Sequence, residues 1–290
     1  MATQEAHQIN QAYQHCMHMV RSHYENFPVA SLAIPKHLRR PISAIYAFAR
    51  SADDMADEGD LSPQERLDRL ENYDTKLQHI NNPSPTEPIF VALSHAVKAH
   101  HLPVQLFHDL LTAFKQDVTK KRYANFAEVL GYCKNSANPI GRLLLHLIQQ
   151  ASEENLRRSD AICSALQVIN FLQDIEQDYT ENNRIYLPQD EMRQFEVTED
   201  HIKHKKCDPA LRSLIDFQIN RIKNMMLEGA PLGQTITGRF GLQLRIMING
   251  GWRILQLLDL QKESCFSRPR LRKIDWLQVT WDAILKKPVA

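Results

Sequence analysis

Gln167-Val-Ile-Asn170-Phe-Leu-Gln-Asp174-Ile-Glu-Gln-Asp178 is the stretch on which the reading of this 290-residue chain turns. On a helix, Gln167, Asn170, Asp174 and Asp178 fall at i, i+3, i+7 and i+11, so four oxygen-bearing side chains share one face. Val168, Ile169, Phe171, Leu172 and Ile175 surround them. A polar stripe of Gln, Asn and Asp within so apolar a helix points to a line of oxygen ligands in a cavity.

A second stripe of the same construction lies upstream. In Tyr46-Ala-Phe-Ala-Arg50-Ser-Ala-Asp53-Asp54-Met-Ala-Asp57, the residues Tyr46, Arg50, Asp53, Asp54 and Asp57 fall at i, i+4, i+7, i+8 and i+11. Ala and Phe occupy the opposite side. Asp is a mediocre helix former, and three carboxylates so close repel one another. A divalent cation would compensate. Mg²⁺ takes octahedral oxygen ligands, usually a few carboxylates together with phosphates and water. Aspartates one turn apart lie about 6 Å apart along a helix axis. Two such helices facing across a pocket can hold Mg²⁺ ions that bridge a diphosphate. The metals would then stabilise charge on the departing group by several kcal/mol. One DxxxD alone most often decorates a solvated face; two, each in an apolar helix and each prolonged by further polar residues, do not fit that reading. A carboxylate-bridged di-iron bundle would need Glu-x-x-His motifs, and the sequence has none.

Outward from these stripes the chain reads as helix. Ser62-Pro63-Gln64-Glu65 predicts a capping box that opens a helix through Leu67, Leu70, Tyr73, Leu77 and Ile80. The Asn81–Pro85 segment ends it, Pro88 begins the next, and Leu102-Pro103 marks another break. Periodic segments follow at roughly 103–118, 126–150, 157–179, 208–228 and 240–262. Alternating runs bounded by hairpin turns are missing, as are internal repeats and low-complexity linkers. The expectation is a single all-α domain spanning 1–290.

With 43% hydrophobic residues the chain can bury a sizeable core, and a net charge of +1 gives no reason to expect nucleic acid as a partner. Five scattered cysteines without a CxxC predict reduced thiols in a cytoplasmic protein. The polar start predicts no signal peptide, and no apolar run predicts a bilayer-spanning helix. Basic runs at Lys36–Arg40, Lys120–Arg122 and Arg268–Lys273 read mostly as solvated faces; one of them lying against anionic lipid would give peripheral contact with the inner membrane. His15/His18 and His201/His204 with Cys207 have zinc-like spacings but read better as a surface loop than as the four well-placed ligands zinc requires.

The paired motifs resemble the squalene and phytoene synthase family. The resemblance runs from about His23 to Pro188, with a weaker tail to about residue 262. It rests on Asp53-x-x-x-Asp57, Tyr132-Cys133, Gln167-x-x-Asn170-x-x-x-Asp174-x-x-x-Asp178 and Arg184-Ile-Tyr-Leu-Pro188. It implies an isoprenoid-synthase-type helical bundle with a central apolar cavity. It also implies that Asp53, Asp57, Asn170, Asp174 and Asp178 carry Mg²⁺. His23, Tyr46, Arg50, Asp54, Gln167 and Arg184 would bind the diphosphate of a prenyl substrate. Arg184 would close over the leaving group from a loop, and Tyr132 would act in catalysis or stabilise a cation with its ring. The apolar residues of the second helix and of 143–148 would line a tunnel for prenyl chains.

Three stretches are most similar to the bacterial branch that makes hydroxysqualene: Arg21 to Ser31, Tyr132 to Gly141, and Asn170 to Asp174. Condensing members of the family usually carry Val-Ala-Gly where Ser136-Ala137-Asn138 stands, and Arg where Gln173 stands. The resemblance therefore implies ionisation of presqualene diphosphate and capture of the rearranged cation by water, without a redox cofactor. The rival expectations are a squalene, phytoene or presqualene diphosphate synthase that condenses two prenyl diphosphates, and a non-catalytic helical assembly factor. The intact aspartates favour an enzyme.

Overall fold

The computed structural model describes residues 2–22, 34–80, 85–261 and 264–287. Among them the chain forms helices α1 (Ala2–Ser22), α2 (Lys36–Asp57), α3 (Pro63–Gln78), α4 (Pro88–His100), α5 (Gln105–Thr119), α6 (Phe126–Ser136), α7 (Asn138–Leu147), α8 (Glu153–Gln173), α9 (Ile175–Asn182), α10 (Gln189–Gln194), α11 (Glu199–Lys203), α12 (Pro209–Gly229), α13 (Leu232–Thr235), α14 (Gly238–Leu260) and α15 (Lys273–Ile284). No β-strand occurs among the described residues; a lone bridge joins Arg122 to Ile185. The predicted all-α class is what the chain adopts.

The contacts divide it into two compact units: Met1–Thr119 with Pro139–Ser152, and Lys120–Asn138 with Glu153–Ala290. In the first, α2 packs against α1, α3, α4 and α5. Its apolar side carries Phe48, fully buried between Tyr73, Phe90 and Phe107 at ring-centroid distances of 5.0, 6.1 and 5.3 Å. Three rings around one ring fix the rotation of α2, and so the direction in which its other side looks. The capping box at the start of α3 forms as expected: Glu65 N donates to Ser62 Oγ, and Ser62 N donates to Glu65 Oε2 at 2.8 Å. Leu143, Leu144, Leu145 and Leu147 of α7 are buried.

The second unit is built on α8 and α12, with α6 and α14 also against α8 and with α15 on α14. Gly251 of α14 allows close approach: a Cβ there would fall 2.3 Å from Leu166 Cδ2 of α8.

Several predicted boundaries move. The 126–150 segment is two helices: α6 ends at its C-cap Ala137, and α7 opens with Pro139 in its first turn, where a missing N–H costs no helical bond. The 157–179 segment is also two helices, parted at Asp174 (φ −109°, ψ 16°). Helix α1, the short helices α10, α11 and α13, and helix α15 went unpredicted. The Asn81–Ser84 part of the predicted loop lies outside the described residues.

The expectation of five reduced thiols is corrected for two of them. Cys207 and Cys265 form a disulfide across 58 residues of sequence, with Cα atoms 5.6 Å apart. No local spacing announces that pair, because tertiary folding alone brings it together. Cys16, Cys133 and Cys163 are thiols, and burial pushes the first two up to about 12. With Cys207 so bonded, and His201 spent on the Thr198 amide at 3.1 Å, the zinc-like spacing is structural. No cluster of three metal-binding side chains occurs among the described residues.

Candidate active site

The first acidic stripe occupies the last three turns of α2. Tyr46, Arg50, Asp53 and Asp54 are half-buried and Asp57 is exposed, on the side away from Phe48. The helix end is held rigidly by Arg66 of α3. Its Nη1 donates to the carbonyls of Ala56 and Glu58 at 2.9 and 3.0 Å, and its Nη2 donates to that of Gly59 at 2.7 Å. Gly59 takes φ 80°, a left-handed turn that other residues resist. Carboxylates at the C-terminal end of a helix meet the negative pole of its dipole, so this placement is unfavourable unless positive charge arrives.

Part of that charge comes from Arg50. Its Nε lies 2.6 Å from Asp54 Oδ1, its Nη2 2.6 Å from Glu58 Oε1 and its Nη1 3.4 Å from Asp53 Oδ2. One guanidinium thus serves three carboxylates and leaves the cluster net negative. Asp53 shows the consequence. Desolvation, then repulsion from Asp57, Asp117 and Asp54, pushes its carboxyl up to about 6 against the pull of Arg50. The Asp53 side chain still touches water with 43% of its surface, so the crowding is one-sided. Asp117 was missed in the sequence. It is buried on α5 seven residues after Leu110, on that helix's apolar stripe, and a carboxylate in a core position is the signal that would have found it.

The second stripe is brought together in the other unit. Gln167 and Asn170 on α8, Asp174 at the junction and Asp178 on α9 are all half-buried, among the buried Val168, Ile169, Phe171, Leu172 and Ile175. The amide of Asp174 still bonds Asn170 O at 2.9 Å, and that of Asp178 bonds Asp174 O at 2.8 Å. The stripe therefore continues across the junction between α8 and α9.

Arg268 occupies the junction. Its Nε lies 2.6 Å from Asp174 Oδ1 and its Nη2 3.0 Å from Asp174 Oδ2, a two-pronged grip. Gln173 Nε2 donates to Pro269 O at 2.7 Å and pins the segment that delivers Arg268. Burial raises the Asp174 carboxyl, with Arg268 and then Arg270 pulling it back. Sequence reading placed Arg268 only within a basic run, since nothing local ties it to an aspartate so far away in the chain.

Arg184 follows the second motif in a non-helical segment, as expected. Its guanidinium is buried, not spread over the surface, and Nη1 donates to Tyr186 Oη at 3.1 Å. Asn183 turns left-handed at φ 50° to end α9, and Arg122 holds that turn through Asn183 Oδ1 at 3.0 Å while pairing with Glu199. The segment then runs beside 121–124, with Ile185 N bonded to Lys121 O at 3.0 Å. This sets Tyr186 flat on Phe171, centroids 3.5 Å apart and planes 7° from parallel. Tyr123 and Tyr132 complete a four-ring cluster. Tyr132 is buried in it. His23 lies outside the described residues.

These motifs have matches among known proteins. The family model for squalene/phytoene synthase matches residues 20–277. The chain belongs to the squalene and phytoene synthase family. Among relatives of this family member, a hydroxysqualene synthase of Rhodopseudomonas palustris is 34% identical over 90% of this chain and 88% of its own length. A phytoene synthase of Mycobacterium tuberculosis is 32% identical over 64% of this chain and 60% of its own length. Among solved structures, squalene synthase HpnC from Alicyclobacillus acidocaldarius superposes with a TM-score of 0.83 at 34% identity, over 88% of this chain and 96% of that one. The family expectation and the isoprenoid-synthase fold are thereby established.

Proposed function

We propose that this chain converts presqualene diphosphate to hydroxysqualene with release of diphosphate. The observation that carries the reading is the state of the two acidic stripes. Both are intact, both lie on ordered helices beside an arginine, and they sit in a chain similar over nine-tenths of its length to a hydroxysqualene synthase.

The donor set suits Mg²⁺. Asp53, Asp57, Asn170, Asp174 and Asp178 offer hard oxygens, and burial together with the neighbouring Asp57 raises the carboxyl of Asp53 despite Arg50. Asp53 and Asp57 in the first unit, and Asn170, Asp174 and Asp178 in the second, are the residues that would hold such ions, which when bound supply Lewis-acid stabilisation of the leaving diphosphate. Arg50 presents a planar fork to phosphate oxygens, and Tyr46, Gln167 and His23 add hydrogen-bond donors. Arg268 and Arg184 provide two further guanidinium groups in the second unit.

In the reaction the C–O bond of the diphosphate ester breaks and its electron pair leaves with the diphosphate. The cyclopropylcarbinyl cation rearranges, a water oxygen bonds to the new cationic carbon, and a proton departs. The buried cluster of Phe171, Tyr186, Tyr132 and Tyr123 would supply an electron-rich apolar wall beside the second stripe, favourable to a passing positive charge where a ring face is free. Water ends the sequence, so no hydride donor is needed. The chain would work in the cytoplasm, in peripheral contact with a membrane that takes up the apolar product.

The test supplies purified protein separately with farnesyl and presqualene diphosphates, with and without Mg²⁺ and NADPH, and identifies products by mass spectrometry. Hydroxysqualene from presqualene diphosphate, dependent on Mg²⁺ and indifferent to NADPH, is expected. Conversion of farnesyl diphosphate alone to presqualene diphosphate would refute the assignment in favour of a condensing enzyme. Asp174→Asn with Asp178→Asn should reduce turnover by about a thousandfold, the equivalent of the several kcal/mol such ions contribute.

A further inference from the structure

We propose that helix α15 is a docking surface for an anionic phospholipid bilayer. The helix is anchored by one narrow side. Asp275, Val279 and Ala283 recur every fourth residue and are buried. Asp275 receives Arg253 at 2.8 Å, and Ala283 O accepts from Arg245 Nε at 2.7 Å. On the opposite side stand Ile274, Leu277, Trp281, Ile284 and Leu285. Leu277, Ile274 and Trp281 are 68, 63 and 60% exposed. Apolar side chains this large rarely gather on a water-facing surface without a partner.

The surroundings of the patch identify the partner by charge. Residues 268–287 carry Arg268, Arg270, Arg272, Lys273, Lys286 and Lys287 against only Asp275 and Asp282, a formal +4 in a chain whose total is +1. Arg268 is drawn to Asp174, Asp275 is buried against Arg253 and Arg272, and Asp282 is paired with Lys287; Arg270, Lys273 and Lys286 stand exposed, so the rim is positive. A basic rim around Leu, Ile and Trp matches a surface of acyl chains beneath anionic headgroups. It does not match a second copy of this chain. A two-fold pairing of α15 with itself would set Lys273 against Lys273, or against Lys286 and Lys287, in either helix orientation.

The inference rests on the membrane contact proposed above and assigns it to α15; its test uses no substrate, so it can fail while the proposed reaction stands. Full-length protein is floated with vesicles of phosphatidylcholine alone and of phosphatidylcholine mixed with phosphatidylglycerol. Quenching of tryptophan fluorescence by brominated lipid reports insertion. Binding to the anionic vesicles, weakened by salt, is expected. Leu277→Glu with Trp281→Glu should reduce affinity at least tenfold, and Lys273→Gln about fivefold, in line with ~1 kcal/mol per basic residue near such a surface. These side chains point away from the core, so circular dichroism should show an unchanged fold. Failure of the native chain to bind anionic vesicles would overturn the proposal. So would equal binding by the double variant, or light scattering that shows a native dimer which the double variant splits.

Discussion

Replacing Arg268 by Gln probes the second acidic centre directly. The substitution removes charged contacts of 2.6 and 3.0 Å from both oxygens of Asp174. Asp174 retains 19% of its side-chain exposure and Arg268 39%. The pair therefore lies between surface bridges, worth roughly 0.2–1 kcal/mol, and buried pairs, whose rupture costs about 3–5 kcal/mol. Solvent on the arginine side screens it, which puts the loss at about 1–2 kcal/mol near neutral pH. The loss depends on the charge of Asp174. Arg268 steadies the fold only while that carboxyl is ionised, so its contribution is full above the folded-state pKa of Asp174 and fades as pH falls through it. Burial already raises that pKa, and losing Arg268 raises it further. The folded variant then holds its proton where the unfolded chain has released it, so variant stability declines more steeply than native stability as pH rises from acid. Urea unfolding of both proteins without metal, at about pH 4 and about pH 7.5, reads this out. A deficit of about 1–2 kcal/mol at the higher pH that shrinks in acid is expected. A deficit equal at both values, or larger in acid, would show that Arg268 acts by packing and not through the Asp174 charge.

Four further outcomes follow from other parts of the molecule. Glu191 is buried and takes Arg221 Nη2 at 2.6 Å, so Arg221→Met should cost about 3–5 kcal/mol in chemical denaturation by stranding that carboxylate. Gly241→Ala would set a Cβ 1.9 Å from Ile236 O; because backbone must yield, about 3 kcal/mol or outright failure to fold is expected, read from soluble yield and melting temperature. Ser62→Ala removes the cap of α3 and should cost about 1 kcal/mol, visible as a shift in urea midpoint. On the proposed function, Mg²⁺ would displace the proton from Asp53, whose carboxyl is pushed up to about 6, so calorimetric affinity should rise between about pH 5 and 7 and then level off; a flat profile would place the ion elsewhere.

How much of this was legible in the chain depends on the range of the interaction. Local rules carried the class and many helix starts. Ser62, Pro63 and Glu65 encode their cap within four residues, and Pro88 and Pro209 both open helices in the first turn. Periodicity placed α2 and the α8–α9 stripe. It failed on α1 and α15 for related reasons. Helix α1 is mostly polar outside the contacts it makes with α2 and α4. Helix α15 turns its large apolar residues outward, so its hydrophobic pattern does not describe a core-facing stripe. The division at Asp174 involves no proline and leaves the hydrogen-bond ladder running, so no residue type announces it.

The site separates along the same line. The aspartates were legible because a helix converts spacing into a shared face, and that conversion needs nothing beyond the helix itself. Their arginines were not equally so. Arg50 lies one turn before Asp54 and could be read; Arg268 reaches Asp174 across 94 residues and could not. Yet the two centres follow one electrostatic logic. In each, carboxylates are gathered at a price in desolvation and repulsion, and in each guanidinium charge partly offsets it, through three contacts from Arg50 at the first and a two-pronged grip from Arg268, with Arg270 nearby, at the second. A divalent cation at either centre must therefore compete with an arginine for the same oxygens. An arginine displaced in that exchange keeps its charge and its planar fork, and it is left beside the metal with donors suited to phosphate. Carboxylates crowded together in the metal-free chain, and arginines that hold them meanwhile, are what the proposed metal–diphosphate site would require.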